Sequence, residues 1–148
     1  MYEKILLAVD GSKHSQKAAE AGIELAKKTN GKVMALFVID VAKEYEGIGG
    51  VSWNIADNVV EGIKKSLREC SNDTLKIVGE MAQKSGVPFE AKMVEGQPAT
   101  EIMNVAENSD MDLIVMGRLG RTGISKFLMG SVAEKVIRNS KVPVLMVH

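Results

Sequence analysis

Cysteine occurs once in the 148 residues, at Cys70. A lone thiol makes no internal disulfide, and a reducing compartment is its simplest setting. Histidine is nearly as scarce, with only His14 and His148. No Cys/His cluster therefore has metal-ligand spacing, and neither histidine has a Ser or Cys partner arranged as a triad. Net charge is missing too, since 19 basic residues balance 19 acidic ones. That balance argues against broad binding to nucleic acid or acidic membranes, while a local basic patch stays open. Long apolar runs are absent. The run Ile5 to Val9 ends at Asp10, too short for a signal peptide or a membrane span. A cytoplasmic protein with no membrane partner is expected. Prolines number three, and there is no Pro-rich linker, low-complexity tract or internal repeat. The length fits one domain, residues 1–148, able to bury its own core.

What remains alternates between two patterns. Ile5 to Val9, Val33 to Ile39 and Leu113 to Met116 are near-unbroken apolar runs, as strands buried on both faces should be. Phe89 to Val94 alternates more and is placed nearer a sheet edge. Val142 to Val147 supplies a fifth strand. Between them lie helical periods. Ala18, Ala21, Gly22, Leu25 and Ala26 share one face, with Asn30-Gly31 as a stop. His14 is placed in the exposed first turn of this helix. A second, long period runs from Ile55 through Val60, Ile63, Leu67, Cys70, Thr74, Val78 and Met81 to Ser85, with a kink expected near Ser71-Asn72-Asp73. Cys70 is read as a core residue on that face. Pro98 suits the first turn of a short helix whose inner face is Ile102, Val105 and Ala106. Lys43 to Asn54 loses periodicity, carries Gly47, Gly49 and Gly50, and reads as a mobile loop. Its Trp53, the sole tryptophan, is assigned to packing or to a partner contact. The expected fold is an α/β three-layer sandwich around a five-stranded, mostly parallel, doubly wound sheet.

Two segments at strand ends are unusual. Asp10-Gly11-Ser12 follows the first strand. After the fourth comes "MGRLGRTGISKFLMGS", Met116 to Ser131, with Arg118, Arg121 and Lys126 and no acid. In doubly wound sheets ligands bind beyond the carboxyl ends of strands where the strand order reverses. If strands one and four are neighbours, these segments face each other across that crevice. Ser131 with Glu134 fits a capping box at the start of the last helix. A helix start offers free N–H groups, and glycine lets an anion approach the backbone closely. The chemistry suggested is phosphate binding. The loop is neither a Walker A sequence nor a G-x-G-x-x-G fingerprint.

Gly117, Gly120, then Gly130-Ser131 gives G-x2-G-x9-G-[ST], which resembles the signature of ATP-binding universal stress proteins. "KILLAVDGS", "ALFVID", "DLIVMG" and "GSVAEKVIRNSKVPVLMV" resemble further parts of that family. Only about Val41 to Ser85 falls outside the resemblance. It implies ATP, with Mg²⁺ or Mn²⁺ held mainly through the phosphates, across the ends of strands one and four. It places Val9 and Asp10 near the ribose and phosphate-bound metal, and the Val38 backbone at the adenine edge. Met116, Gly117 and Gly120 would flank ribose and phosphate. Gly130, Ser131 and Val132 would donate backbone N–H groups, and Ser131 its hydroxyl, to the phosphates. No residue is assigned a catalytic role, and no protein metal site is expected. The resemblance also implies that Val142 to Val147 lies at the sheet edge, and since Val144 to Val147 carry no guarding charge, a homodimer paired through that strand is expected, with an edge covered by the chain's own loop as the alternative. The function implied is a nucleotide-dependent stress-response switch acting on a further protein partner. A slow ATP hydrolase or nucleotidyl transferase, and a structural dimer module with an empty cleft, stand as alternatives. Plainer roles stand beside the site residues: Asp10 as a helix cap, Gly120 and Gly123 as turn glycines, Arg118, Arg121 and Lys126 as solvated charges, Val38 as a core residue.

Overall fold

Five apolar segments form five strands in a computed structural model that describes residues 1–42, 57–120 and 129–148. The elements run β1 (Lys4–Ala8), α1 (Lys13–Thr29), β2 (Lys32–Ile39), α2 (Asp57–Ser85), β3 (Phe89–Glu95), α3 (Pro98–Asn108), β4 (Leu113–Gly117), α4 (Ser131–Asn139) and β5 (Val144–Val147). The expected loop from Lys43 to Asn54 with Trp53, the residue Ile55, and Arg121, Gly123 and Lys126 lie outside the described residues.

The strand order is β3-β2-β1-β4-β5. Every pairing is parallel, so the sheet is wholly rather than mostly parallel. β1 is central, with Ile5 opposite Val33 on one side and Leu113 on the other. Side chains alternate between faces along a strand. Ile5 and Leu7 therefore pack under α1 and α2 with Ala19, Ile23, Leu75 and Val78. Leu6 faces the other way, against α3 and α4, with Ile102, Val105, Ile114 and Val136. Two apolar layers thus sandwich the sheet between two helical layers. Each fully buried Leu or Ile contributes about 1.5–3 kcal/mol.

The helices refine the expectations. α1 ends at Asn30, which takes a left-handed φ of 54°, and Gly31 N–H closes on the Ala26 carbonyl at 2.8 Å. Its buried face holds Ala18, Ala19, Gly22, Ile23 and Ala26, so it is centred away from Ala21 and Leu25, which are only half-buried. His14 is half-buried rather than exposed. α2 runs without a break through Ser71-Asn72-Asp73. Ser71 is fully buried while Asn72 and Asp73 are exposed, so that polar triplet straddles two faces of one helix. Cys70 is half-buried against the core. Pro98 sits in the first turn of α3, as expected. Among the described residues no helix is long and apolar enough to cross a membrane.

Among the described residues no further strand pairs with β3 or β5, the two edge strands, and the edges differ. β3 carries Glu90, Lys92 and Glu95, and β5 carries no charge. Val144 and Met146 of β5 pack inward against the α3/α4 layer, and Leu145 is 39% exposed.

Candidate functional site

β1, β2 and β3 step outward in one direction, and β4 returns to the other side of β1. The chain therefore diverges beyond the carboxyl ends of β1 and β4, leaving a crevice. A cleft opens there. Val9, Asp10, Val38, Met116, Gly117, Gly120, Gly130, Ser131 and Val132 all line it. Residues far apart in sequence meet because the sheet order reverses at that point.

Asp10 lies at the floor. Ser12 N–H donates to its Oδ1 at 2.9 Å. Between them Gly11 holds a φ of 83°, a conformation costly for residues with a Cβ. Ser12 then caps α1, its hydroxyl accepting from Ser15 N–H at 3.1 Å. Asp10 thus secures the turn before the helix, and Ser12 is the cap.

The signature glycines permit three close approaches. A Cβ on Gly117 would fall 2.8 Å from the His14 carbonyl carbon and 2.9 Å from its oxygen. Gly117 therefore lets the first turn of α1 lie against the end of β4. A Cβ on Gly120 would fall 2.8 Å from Asp10 Oδ2, so the loop passes directly beside that carboxylate. A Cβ on Gly130 would lie 3.2 Å from the Arg118 carbonyl.

Gly130 is the N-cap of α4, in extended conformation and with no side-chain capping bond. The capping box expected at Ser131 and Glu134 is therefore not formed: the helix starts one residue earlier, and Ser131 is its first helical residue. The cause is long-range: Arg118 N–H donates to the Val147 carbonyl at 3.0 Å, and Gly130 N–H donates back to the Arg118 carbonyl at 2.9 Å. The Gly130 amide is engaged there. The first helical bond is Glu134 N–H to the Gly130 carbonyl at 2.9 Å. The amides of Ser131, Val132 and Ala133 precede that bond and form the donor end of the helix. Ser131 is exposed at the cleft's lip.

Val38 is placed by strand pleating. Val9 N–H donates to the Leu36 carbonyl, and Gly96 N–H to the Ile39 carbonyl, both at 3.0 Å. Backbone groups alternate in direction along a strand. The Val38 N–H and C=O therefore turn toward β1 at a level where β1 has already ended. The cleft also takes Ser15, Asp40, Pro98, Ile102 and Ala133, which the sequence reading did not assign to it, and Arg118, which that reading named among the basic residues of the loop. Ser15 was detectable, because Ser12-x-x-Ser15 is a weak form of a capping pattern. Asp40 carries no local motif and Pro98 only a helix-start signal; they enter because β2 ends and α3 begins beside the cleft.

The universal stress protein family matches residues 1–148. Universal stress protein MJ0531 of Methanocaldococcus jannaschii is 41% identical over 147 residues, covering 99% of this chain and 82% of that one. The solved structure of MJ0577, from the same organism, is 29% identical with a TM-score of 0.79, covering 99% of this chain and 96% of that one. A universal stress protein solved in complex with cAMP is 25% identical with a TM-score of 0.73, covering 99% and 97% of the two chains. On its sequence, its sheet order and the arrangement of its glycine loop, this chain belongs to the universal stress protein family.

Proposed function

We propose that this protein binds ATP, or a closely related adenine nucleotide, in the cleft at the β1/β4 switch point and acts as a nucleotide-dependent regulatory switch. One observation carries the reading: the first turn of α4, the Asp10 carboxylate and the Val38 backbone converge on one cleft. Each suits a different part of the ligand. The helix start suits phosphate. A carboxylate accepts from a ribose hydroxyl. A strand N–H and C=O side by side match the acceptor and donor of the adenine edge. The relative solved with cAMP supports the adenine class.

The residues also fit a metal carried by the nucleotide. Among the described residues no group of three or more His, Cys, Asp or Glu could hold an ion alone. Mg²⁺ or Mn²⁺ would be held through phosphate oxygens, with Asp10 the nearby carboxylate. There the ion neutralises phosphate charge. The chain's own part is binding and orientation, so slow hydrolysis is the secondary expectation, not the principal role. The active particle in this reading is a homodimer paired through β5, whose edge lacks the charges that guard β3. Mass spectrometry of small molecules released by denaturing the freshly purified protein tests the ligand class. Calorimetry with ATP, AMP and GTP in Mg²⁺ then ranks them. Failure of every adenine nucleotide to bind at millimolar concentration would overturn the reading.

A further inference from the structure

The turn that carries Asp10 is held from beneath by a residue outside the signature. Ser15 is 5% exposed, in the first turn of α1. Its hydroxyl donates to the Ser12 carbonyl at 3.0 Å and accepts from Asp10 N–H at 3.3 Å. Those two backbone groups flank Gly11. The Asp10 carboxylate closes the same turn from the other side, accepting from Ser12 N–H through Oδ1. Two side chains thus lock one three-residue turn. Oδ1 accepts that bond, and Oδ2 lies on the side where Gly120 passes.

The helix does not require this hydroxyl. Gln16 N–H already donates to the Ser12 carbonyl at 3.0 Å, and Ser15 N–H already takes the cap from Ser12. A buried hydroxyl that contributes little to helix capping still needs bonded partners. The partners it has are those that set the direction of Asp10.

We propose that Ser15 is a positioning residue for nucleotide binding: its buried hydroxyl fixes the Asp10-Gly11-Ser12 turn and so aims the Asp10 carboxylate at the ligand. The proposal rests on the nucleotide reading above, and it assigns Ser15 no contact with the nucleotide. It predicts dependence on Asp10. Removing the hydroxyl lets the turn relax and the carboxylate wander, which weakens binding only while a carboxylate is present.

The experiment is a double-mutant cycle read by calorimetry with ATP and Mg²⁺, each variant checked by thermal unfolding. Ser15→Ala should weaken ATP about five-fold, the scale of one neutral hydrogen bond. In an Asp10→Ala background the same change should alter affinity less than about 1.5-fold on that scale. Ser15→Thr, which keeps the hydroxyl, should restore most of the affinity lost in Ser15→Ala. If Ser15→Ala binds like wild type, or weakens ATP equally with and without the Asp10 carboxylate, Ser15 only supports the fold and the proposal is overturned. If the wild-type protein binds no adenine nucleotide, the nucleotide reading fails first and takes this proposal with it. If wild type binds and Ser15→Ala is unaltered, the positioning role alone fails.

Discussion

Gly117→Ala separates two explanations of a signature glycine. A glycine kept for ligand contact tolerates a methyl at some loss of affinity, while a glycine kept for packing does not. The Cβ of an alanine here would fall 2.8 Å from the His14 carbonyl carbon, well inside ordinary contact. The obstacle is backbone in the first turn of a helix, so no rotamer change relieves it. Either α1 or the end of β4 must move. Overpacking of this kind costs about 1–3 kcal/mol. For a domain of this size that lowers Tm by about 2–12 °C, taking roughly 2–4 °C per kcal/mol. The same displacement shifts Ser15 and the turn below Asp10, so nucleotide affinity should fall together with stability. Differential scanning calorimetry with and without ATP measures both. An alanine variant with wild-type Tm would refute the packing argument, whatever its affinity.

Three further outcomes are expected. Gly130→Val should fold with some loss of Tm, because its extended backbone suits valine but the Cβ would lie 3.2 Å from the Arg118 carbonyl, and its methyls would crowd the amides of Ser131 and Val132. Loss of one charge-assisted bond of about 1.5–3 kcal/mol predicts a roughly 10- to 100-fold weaker ATP affinity by calorimetry, and equal affinity in a folded variant would refute that site. Asp10→Ala should weaken ATP by a similar factor and leave the domain folded, the lost bond from Ser12 N–H being worth about 1 kcal/mol, or about 2–4 °C of Tm; collapse of thermal stability at unchanged affinity would make Asp10 structural. Leu145→Lys should convert a micromolar dimer to monomer in sedimentation velocity without lowering protomer stability, because Leu145 is exposed while Val144 and Met146 pack inward; a dimer that persists in the variant would move the interface elsewhere.

Much of the architecture was legible in the residues. Strands buried on both faces must be apolar throughout, and Ile5 to Val9 and Leu113 to Met116 show it directly. Placing Asp10 opposite the glycine loop needed one more fact, the pairing of β1 with β4, which no local pattern encodes. The buried face of α1 was read correctly at Ala18, Gly22 and Ala26 but centred to one side, because Ala18, Ala19, Ala21 and Ala26 spread over nearly half the helix circumference and leave little contrast there. The start of α4 was displaced because the Gly130 amide answers to the Arg118 carbonyl, itself tied to the last residue of β5. Ser15 escaped because its role depends on a left-handed Gly11 that folds Asp10 back over it.

The unlike edges of the sheet have a consequence for stoichiometry. Unpaired strand edges recruit partners, and a protein with two permissive edges can add copies at both ends without limit. Here Glu90, Lys92 and Glu95 guard one side, and the chargeless run Val144–Val147 borders the other. A particle with a single sticky flank has its valence used up by one two-fold pairing. In the proposed dimer, growth then terminates at two copies. Replacing the β3 charges with valine would remove that stop and open a route to fibrils.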